Sequence, residues 1–125
     1  MFNVADGSPV RGGDVVGIDI VEIARIAGAV ERHGERFLRK VFTDVEITWA
    51  QGLRREYEFL AGRFAAKEAF MKAMGRRLPW QEIEIDRDQG RPLLRFRGET
   101  CGEVSISHER AYAVAVVVVA VNSEQ

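Results

Sequence analysis

The sequence is poor in cysteine and in long apolar runs, and each shortage excludes a class of protein. The single cysteine, Cys101, cannot form an internal disulfide, and no CxxC motif or Cys/His cluster predicts a zinc site. With one thiol and no leader peptide expected, the predicted location is a reducing cytoplasm. The longest apolar run, 111–121, is too short to span a bilayer, so we predict no membrane association.

The sequence also has no large excess of positive or negative charge. It contains 18 Lys and Arg against 19 Asp and Glu, for a net charge of −1. This balance gives no reason to predict a nucleic-acid partner. A chain of 125 residues makes one domain, which can bury about two thirds of its unfolded surface without disulfides or a structural metal. The Gly-rich start has no apolar signal segment, so we predict a flexible tail at 1–14 and a single domain at 15–125.

The first half of the chain predicts one strand followed by helices. Val15–Ile20 is an apolar, β-branched run that is typical of a buried strand. Apolar residues then recur at helical spacing from Val21 onward, and a break is expected at His33-Gly34. Thr43–Glu46 fits a capping box, which predicts the start of another helix.

The second half predicts one long helix and several strands. Glu58–Met74 is helical in pattern, Gly75 can cap its end, and its many alanines predict close packing against a sheet. Strands are expected around 83–85, 94–96, 104–106 and 112–121, and the last is so rich in Ala and Val that burial on both faces is predicted. The fold class is therefore α+β, with a mainly antiparallel sheet wrapped around the long helix.

Asp19 is unusual because it is a carboxylate within an apolar strand. Burying an unpaired carboxylate is costly, so it should be paired or should bind a metal. It could equally cap the following helix, where the helix dipole favours Asp. From the residue alone, the two interpretations carry about equal weight.

Glu68 and Lys72 lie four residues apart and therefore share one helical face. The simpler interpretation is an exposed ion pair worth about 0.3–0.5 kcal/mol. However, Arg63, Lys67 and Lys72 concentrate positive charge on a helix otherwise made largely of Ala and Phe. Cations beside a carboxylate suit a site at which Mg²⁺ and phosphate bind together.

His108 ends the segment Ser105–His108, just before the final strand. A histidine at a turn is more often a surface residue than a catalyst, but this one could donate to a phosphate oxygen. A Ser-His-acid triad is disfavoured, because adjacent strand residues point to opposite faces and no GxSxG motif is present.

Three motifs together resemble the holo-acyl-carrier-protein synthase family. Val16–Ile26 is similar to the opening pattern G-I/V-D-I/L-x-x-x-x-R-I/F of that family. Phe59–Ala69 resembles its signature helix almost letter for letter, and Ser105–His108 resembles its S-I/L-S/T-H motif. The motifs occur in the expected order and cover nearly all of the chain after Asp14.

The resemblance implies roles for residues of this chain. Asp19 and Glu68 would hold Mg²⁺ together with the diphosphate of coenzyme A, and they would form the catalytic set with Lys72. The residues implied at the coenzyme are Arg63, Lys67, Lys72 and His108. The residues implied in docking the acidic acyl-carrier protein are Arg25, Arg36 and Phe37.

The resemblance also implies the reaction and the assembly. It implies transfer of 4′-phosphopantetheine from coenzyme A to a serine of apo-acyl-carrier protein, with release of 3′,5′-ADP, in fatty acid biosynthesis. It further implies a homotrimer with active sites between subunits. The chain departs from the family pattern in its Gly-rich start and in Gly98–Glu103, which is too short for the helix that family members usually have there.

Two alternatives remain open. The carrier could belong to a polyketide or peptide synthase, although the transferases for such carriers are typically longer, as fused double units. The chain could also be a non-catalytic trimeric module that binds coenzyme A or a carrier and has lost turnover. The joint presence of Asp19, Glu68, Lys72 and His108 argues against that alternative.

Overall fold

The structure is a computed structural model that describes residues 14–120. The predicted tail therefore lies outside the described residues, apart from Asp14. In chain order the elements are β1 (Val15–Glu22), α1 (Ile23–His33), α2 (Glu35–Val41), α3 (Asp44–Gln51), α4 (Glu56–Met74), a short 3₁₀ turn (Trp80–Glu82), β2 (Ile83–Asp88), β3 (Arg91–Phe96), β4 (Glu99–His108) and β5 (Tyr112–Val119).

The five strands form one sheet in the order β1-β5-β4-β3-β2, and every neighbouring pair is antiparallel. The long helix α4 packs mainly against β1 and β5. It ends as predicted at Gly75, whose φ of 75° is left-handed and whose N–H donates to the carbonyls of Met71 and Lys72. The α+β class with an antiparallel sheet is confirmed.

Helix α4 and strand β1 touch through their backbones. A Cβ atom at Gly17 would lie 1.8 Å from the carbonyl oxygen of Ala69, so only glycine allows this approach. Across the same interface, Ala65, Ala66 and Ala69 are completely buried. The prediction of close packing is therefore confirmed, and the contact brings Asp19 of β1 against the last turns of α4.

The helical segments before α4 also follow the sequence. Gly34, with φ 53°, separates α1 from α2. Thr43 begins α3 with the predicted capping box: its hydroxyl accepts from Glu46 N at 3.3 Å, and its own N–H donates to Glu46 Oε1 at 2.8 Å. Among residues 14–120, no helix combines the length and the apolar character needed to cross a membrane.

Strands β3 and β4 are joined directly by a two-residue turn. Arg97 and Gly98 both have positive φ, 54° and 84°, and β4 begins at Glu99. This is the geometry of a tight hairpin, in which a right-handed strand twist favours positive φ at both turn positions. The prediction that the segment after Gly98 is too short for a helix is confirmed.

The prediction that β5 is buried on both faces is wrong for the single chain. Its α4 side is buried, but the other side continues into the exposed side of β1, where Ile18 and Ile20 are 57% and 63% exposed. The reason is that α4 covers only one face of these strands. We call the other the apolar sheet face, which comprises Val16, Ile18, Ile20, Val114, Val116 and Val118.

Candidate active site

Asp19 lies on the α4 side of β1, as the alternation of strand side chains requires. Its Oδ1 accepts from Lys72 Nζ at 2.9 Å, and the same ammonium donates to the Ile18 carbonyl at 3.1 Å. Helix α1 begins four residues later, at Ile23, with Glu22 at its N-cap. The interpretation of Asp19 as a helix cap is therefore wrong, and the carboxylate belongs to a charged cluster.

Glu68 lies one helical turn before Lys72, but its partner is Arg77, in the loop after α4. Arg77 Nη1 donates to Oε1 at 2.9 Å and Nη2 donates to Oε2 at 3.3 Å, so the guanidinium binds both carboxylate oxygens. The hydrogen bond that Arg77 donates to Glu68 raises the pKa of Arg77. The simple Glu68–Lys72 ion pair is thus replaced by two separate pairs, and sequence reasoning missed Arg77.

Asp19, Glu68, Lys72 and Arg77 form what we call the site cluster. Among residues 14–120, no group of three or more Asp, Glu, His or Cys side chains could hold a metal. Asp19 on β1 and Glu68 on α4 nevertheless supply carboxylate oxygens of the kind that suits Mg²⁺, which keeps several waters and commonly takes its other oxygens from substrate phosphates. The donor set therefore fits a cation that binds with its substrate.

A cleft of about 630 Å³ contains Arg63 and His108 among its lining residues. Arg63 is only 8% exposed, and its guanidinium carbon lies 3.8 Å from the centre of the Phe59 ring. Burial, together with the like charge of Arg87, lowers the pKa of Arg63 to about 10 despite the nearby carboxylate of Glu46. Its Nε has no hydrogen-bond partner among the described residues. Such an unpaired buried donor at a cleft suits an anionic ligand.

His108 has a neighbour that the sequence did not reveal. Its Nδ1 lies 3.3 Å from Oε1 of Glu58, which comes from the first turn of α4. Arg55 Nη1 lies 3.6 Å from the other oxygen of Glu58. Glu58 therefore lines a smaller pocket that shares Arg63 and His108 with this cleft.

Lys67 does not lie at either of these sites. Its side chain is 0% exposed, its Nζ lies 2.7 Å from Glu46 Oε1, and it donates to the carbonyls of Val41 and Trp80. Glu46 also accepts from Ile85 N at 2.6 Å. Burial lowers the pKa of Lys67 and raises that of Glu46. The prediction that Lys67 contacts the coenzyme is wrong, because the ammonium is enclosed and holds four elements together.

The residues predicted to dock a carrier lie on the first two helices. Arg25 is exposed on α1, with its guanidinium 5.5 Å from the Phe64 ring, and Arg36 is exposed on α2. Phe37 is partly buried, with its ring edge-on to Phe42 at 6.0 Å. The two arginines are accessible to a partner, whereas Phe37 contributes mostly to packing.

Known proteins match this sequence and this fold. Residues 15–117 match the model of the 4′-phosphopantetheinyl transferase superfamily. The holo-acyl-carrier-protein synthase of Halothermothrix orenii is 44% identical over 117 aligned positions, which cover 82% of this chain and 94% of the relative. The corresponding protein of Thermus thermophilus is 40% identical over 112 positions, covering 82% of this chain and 90% of the relative.

Solved structures agree. The holo-acyl-carrier-protein synthase of Bacillus anthracis in complex with CoA (3′,5′-ADP) has a TM-score of 0.76 and 38% identity, with 86% of this chain and 96% of that chain covered. The Helicobacter pylori protein in complex with coenzyme A has a TM-score of 0.75 and 32% identity, with 83% and 98% covered.

The fold and these matches define a class of transferases. The chain belongs to the 4′-phosphopantetheinyl transferase superfamily and, within it, to the holo-acyl-carrier-protein synthase type of enzyme. The resemblance found in the sequence is confirmed. Since 82% of 125 residues is about 103, about 14 of the 117 positions aligned with the Halothermothrix protein have no residue of this chain, which agrees with a shortened chain.

Proposed function

We propose that this enzyme transfers 4′-phosphopantetheine from coenzyme A to a serine hydroxyl of apo-acyl-carrier protein and releases 3′,5′-ADP. The observation that supports the proposal is the site cluster: Asp19 of β1 binds Lys72 of α4, and Lys72 lies one helical turn after Glu68. The carrier hydroxyl attacks the β-phosphorus of the coenzyme, and the bond from that phosphorus to the bridging oxygen breaks. The nucleophile belongs to the carrier, so this chain needs to supply none.

Mg²⁺ is proposed as the cofactor, held by Asp19 and Glu68. When bound, it would neutralise charge on the diphosphate. Lys72 donates to Asp19 and to the Ile18 carbonyl, and this fixes its ammonium at the edge of the cluster. Its positive charge there can stabilise the phosphate oxygens of the leaving group.

The nucleotide end of the coenzyme is proposed to lie in the cleft that contains Arg63 and His108. The support is the unpaired Nε of Arg63, a buried donor that needs an acceptor. His108, which lines the same cleft, offers a second donor. Lys67 is excluded from this set by its enclosure.

Carrier docking is proposed on α1 and α2. Arg25 and Arg36 are exposed there, and Arg32 and Arg39 add to the positive charge of the same region. An acidic carrier protein would be attracted to such a surface over a distance set by the ionic strength. Fatty acid biosynthesis and a cytoplasmic location remain the predicted context of this reaction.

A homotrimer is proposed from the apolar sheet face. Six apolar side chains from two paired strands are left uncovered by the described part of the chain, and a face of this kind marks an interface. Closed cyclic symmetry is the usual way to cover identical faces. In a trimer of this kind, we expect neighbouring subunits to complete each coenzyme site.

The test of the function is mass spectrometry of apo-acyl-carrier protein incubated with coenzyme A, Mg²⁺ and the enzyme. We expect the carrier to gain the mass of one phosphopantetheine. A carrier whose acceptor serine is replaced by alanine is the control and should gain nothing. A polyketide or peptide synthase carrier tested in parallel distinguishes the alternative substrate, and the absence of any gain on all carriers would contradict the proposal.

A further inference from the structure

Both carboxylates of the site cluster are already neutralised by cations of the chain itself. Lys72 neutralises Asp19 from α4 and is held additionally by a backbone carbonyl. Arg77 neutralises Glu68 from the loop that follows Gly75, and Glu68 is its only hydrogen-bond partner among the described residues. The two cations therefore differ in their partners: Lys72 also binds the backbone, whereas both hydrogen bonds of Arg77 go to Glu68.

The Arg77–Glu68 contact uses both oxygens of the carboxylate. The distances of 2.9 and 3.3 Å describe a forked arrangement in which each nitrogen faces one oxygen. A divalent cation bound to Glu68 would lie next to this guanidinium, and the two like charges would repel each other. A cation and Arg77 therefore compete for the same carboxylate.

Arg77 can be displaced from Glu68 at little cost in stability. Its side chain is 66% exposed, whereas that of Glu68 is 19% exposed, so the pair lies at the surface on the arginine side. An exposed ion pair contributes little to stability, so its loss is tolerated by the fold. The guanidinium also lies 5.4 Å from the Trp80 ring, on which it can remain stacked after Glu68 is released.

We propose that Arg77 is a placeholder for the divalent cation at Glu68: it occupies the carboxylate in the metal-free enzyme and must be displaced when the cation binds. This rests on the proposed function in one respect, the assignment of Glu68 as a metal ligand. Arg77 then keeps the site cluster nearly charge-balanced without a metal. It also lowers the affinity for a cation that arrives alone.

The test is binding of Mn²⁺ alone, without coenzyme, measured by electron paramagnetic resonance of the free ion. The variants are Arg77→Gln, Glu68→Gln, the double variant, and Arg76→Gln as matched control. Arg76 is exposed in the same loop, and no ion pair is recorded for it among residues 14–120. The control therefore measures the effect of removing one positive charge near the site.

We expect Arg77→Gln to bind Mn²⁺ about threefold to fivefold more tightly than Arg76→Gln, the range that corresponds to the stronger exposed ion pairs. Arg77→Lys keeps the charge but cannot bind both carboxylate oxygens at once. Its affinity for Mn²⁺ should lie between those of Arg77→Gln and the unmodified protein. Glu68→Gln should weaken binding and abolish the effect of Arg77→Gln. Equal affinities for the Arg77 and Arg76 variants, with Glu68→Gln still weak, would overturn the placeholder alone. Unchanged affinity in Glu68→Gln would overturn the metal assignment and the placeholder with it.

Discussion

Lys67 and Glu68 are neighbours on α4, yet they lie in opposite environments. Lys67 points away from the site into the interior and is enclosed by Glu46 and two backbone carbonyls. Glu68 is turned by one helical step toward β1 and the loop after α4, where it meets Arg77. One signature helix therefore has two different sides: its buried side joins several elements, and its other side carries the charges that we propose for ligand binding.

The largest expected effect comes from breaking the buried pair. Lys67→Met would leave the Glu46 carboxylate enclosed without a counterion, and breaking such a pair typically costs about 3–5 kcal/mol. Urea unfolding followed by circular dichroism measures the loss. The double variant Lys67→Met/Glu46→Gln should recover part of it, because a neutral amide needs no counterion. An equally unstable double variant would show that packing, not charge, carries the effect.

Substitutions of Asp19 and Glu68 in the site cluster should lower activity and leave stability nearly unchanged. Asp19→Ala and Glu68→Gln should each lower kcat/KM about 10²-fold or more, the size expected when electrostatic stabilisation of a transition state is removed. Chelation with EDTA should stop transfer in the unmodified enzyme. Both variants should unfold at nearly the same urea concentration as the unmodified protein. Near-normal turnover in a folded variant would remove that residue from the metal site.

The assembly prediction concerns the apolar sheet face. Ile18→Lys would place a charge among its apolar neighbours, with Val116 directly opposite on β5. Light scattering should show a trimer for the unmodified protein and smaller species for this variant. Activity should fall in the variant if the sites are shared between subunits. A fully active monomer at nanomolar concentration would contradict the shared-site proposal.

A smaller effect is expected at the docking surface. Arg25→Glu should raise the KM for the carrier protein and leave the KM for coenzyme A nearly unchanged, because Arg25 is exposed on α1 away from the cleft residues. Salt should also raise the carrier KM, since exposed charges are screened beyond about 8 Å at physiological ionic strength. Equal effects on both substrates would assign Arg25 to the coenzyme site.

Much of the site could be predicted because local rules place its residues. Strand alternation puts Asp19 on the α4 side of β1, and helical periodicity puts Glu68 and Lys72 on one face. The close approach of the two elements follows from Gly17 and the alanines of α4.

The features of the site that the sequence did not predict depend on contacts between distant parts of the chain. Lys67 was misassigned because its partner, Glu46, lies in α3 and was recognised only as part of a capping box. Glu46 fulfils both functions: one oxygen faces Thr43 N and Lys67, and the other accepts from Ile85. Arg77 was missed because nothing in the sequence fixes the path of the loop after Gly75.

The most direct test of the account measures transfer and stability together in Lys67→Met and Glu68→Gln. Transfer is followed as the mass gain of apo-acyl-carrier protein, at a temperature where both variants are folded. We predict that Glu68→Gln keeps its stability and loses transfer, whereas Lys67→Met loses stability and retains much more transfer than Glu68→Gln. The reverse pattern, with transfer abolished by Lys67→Met and retained by Glu68→Gln, would contradict the assignment of chemistry to one side of α4 and architecture to the other.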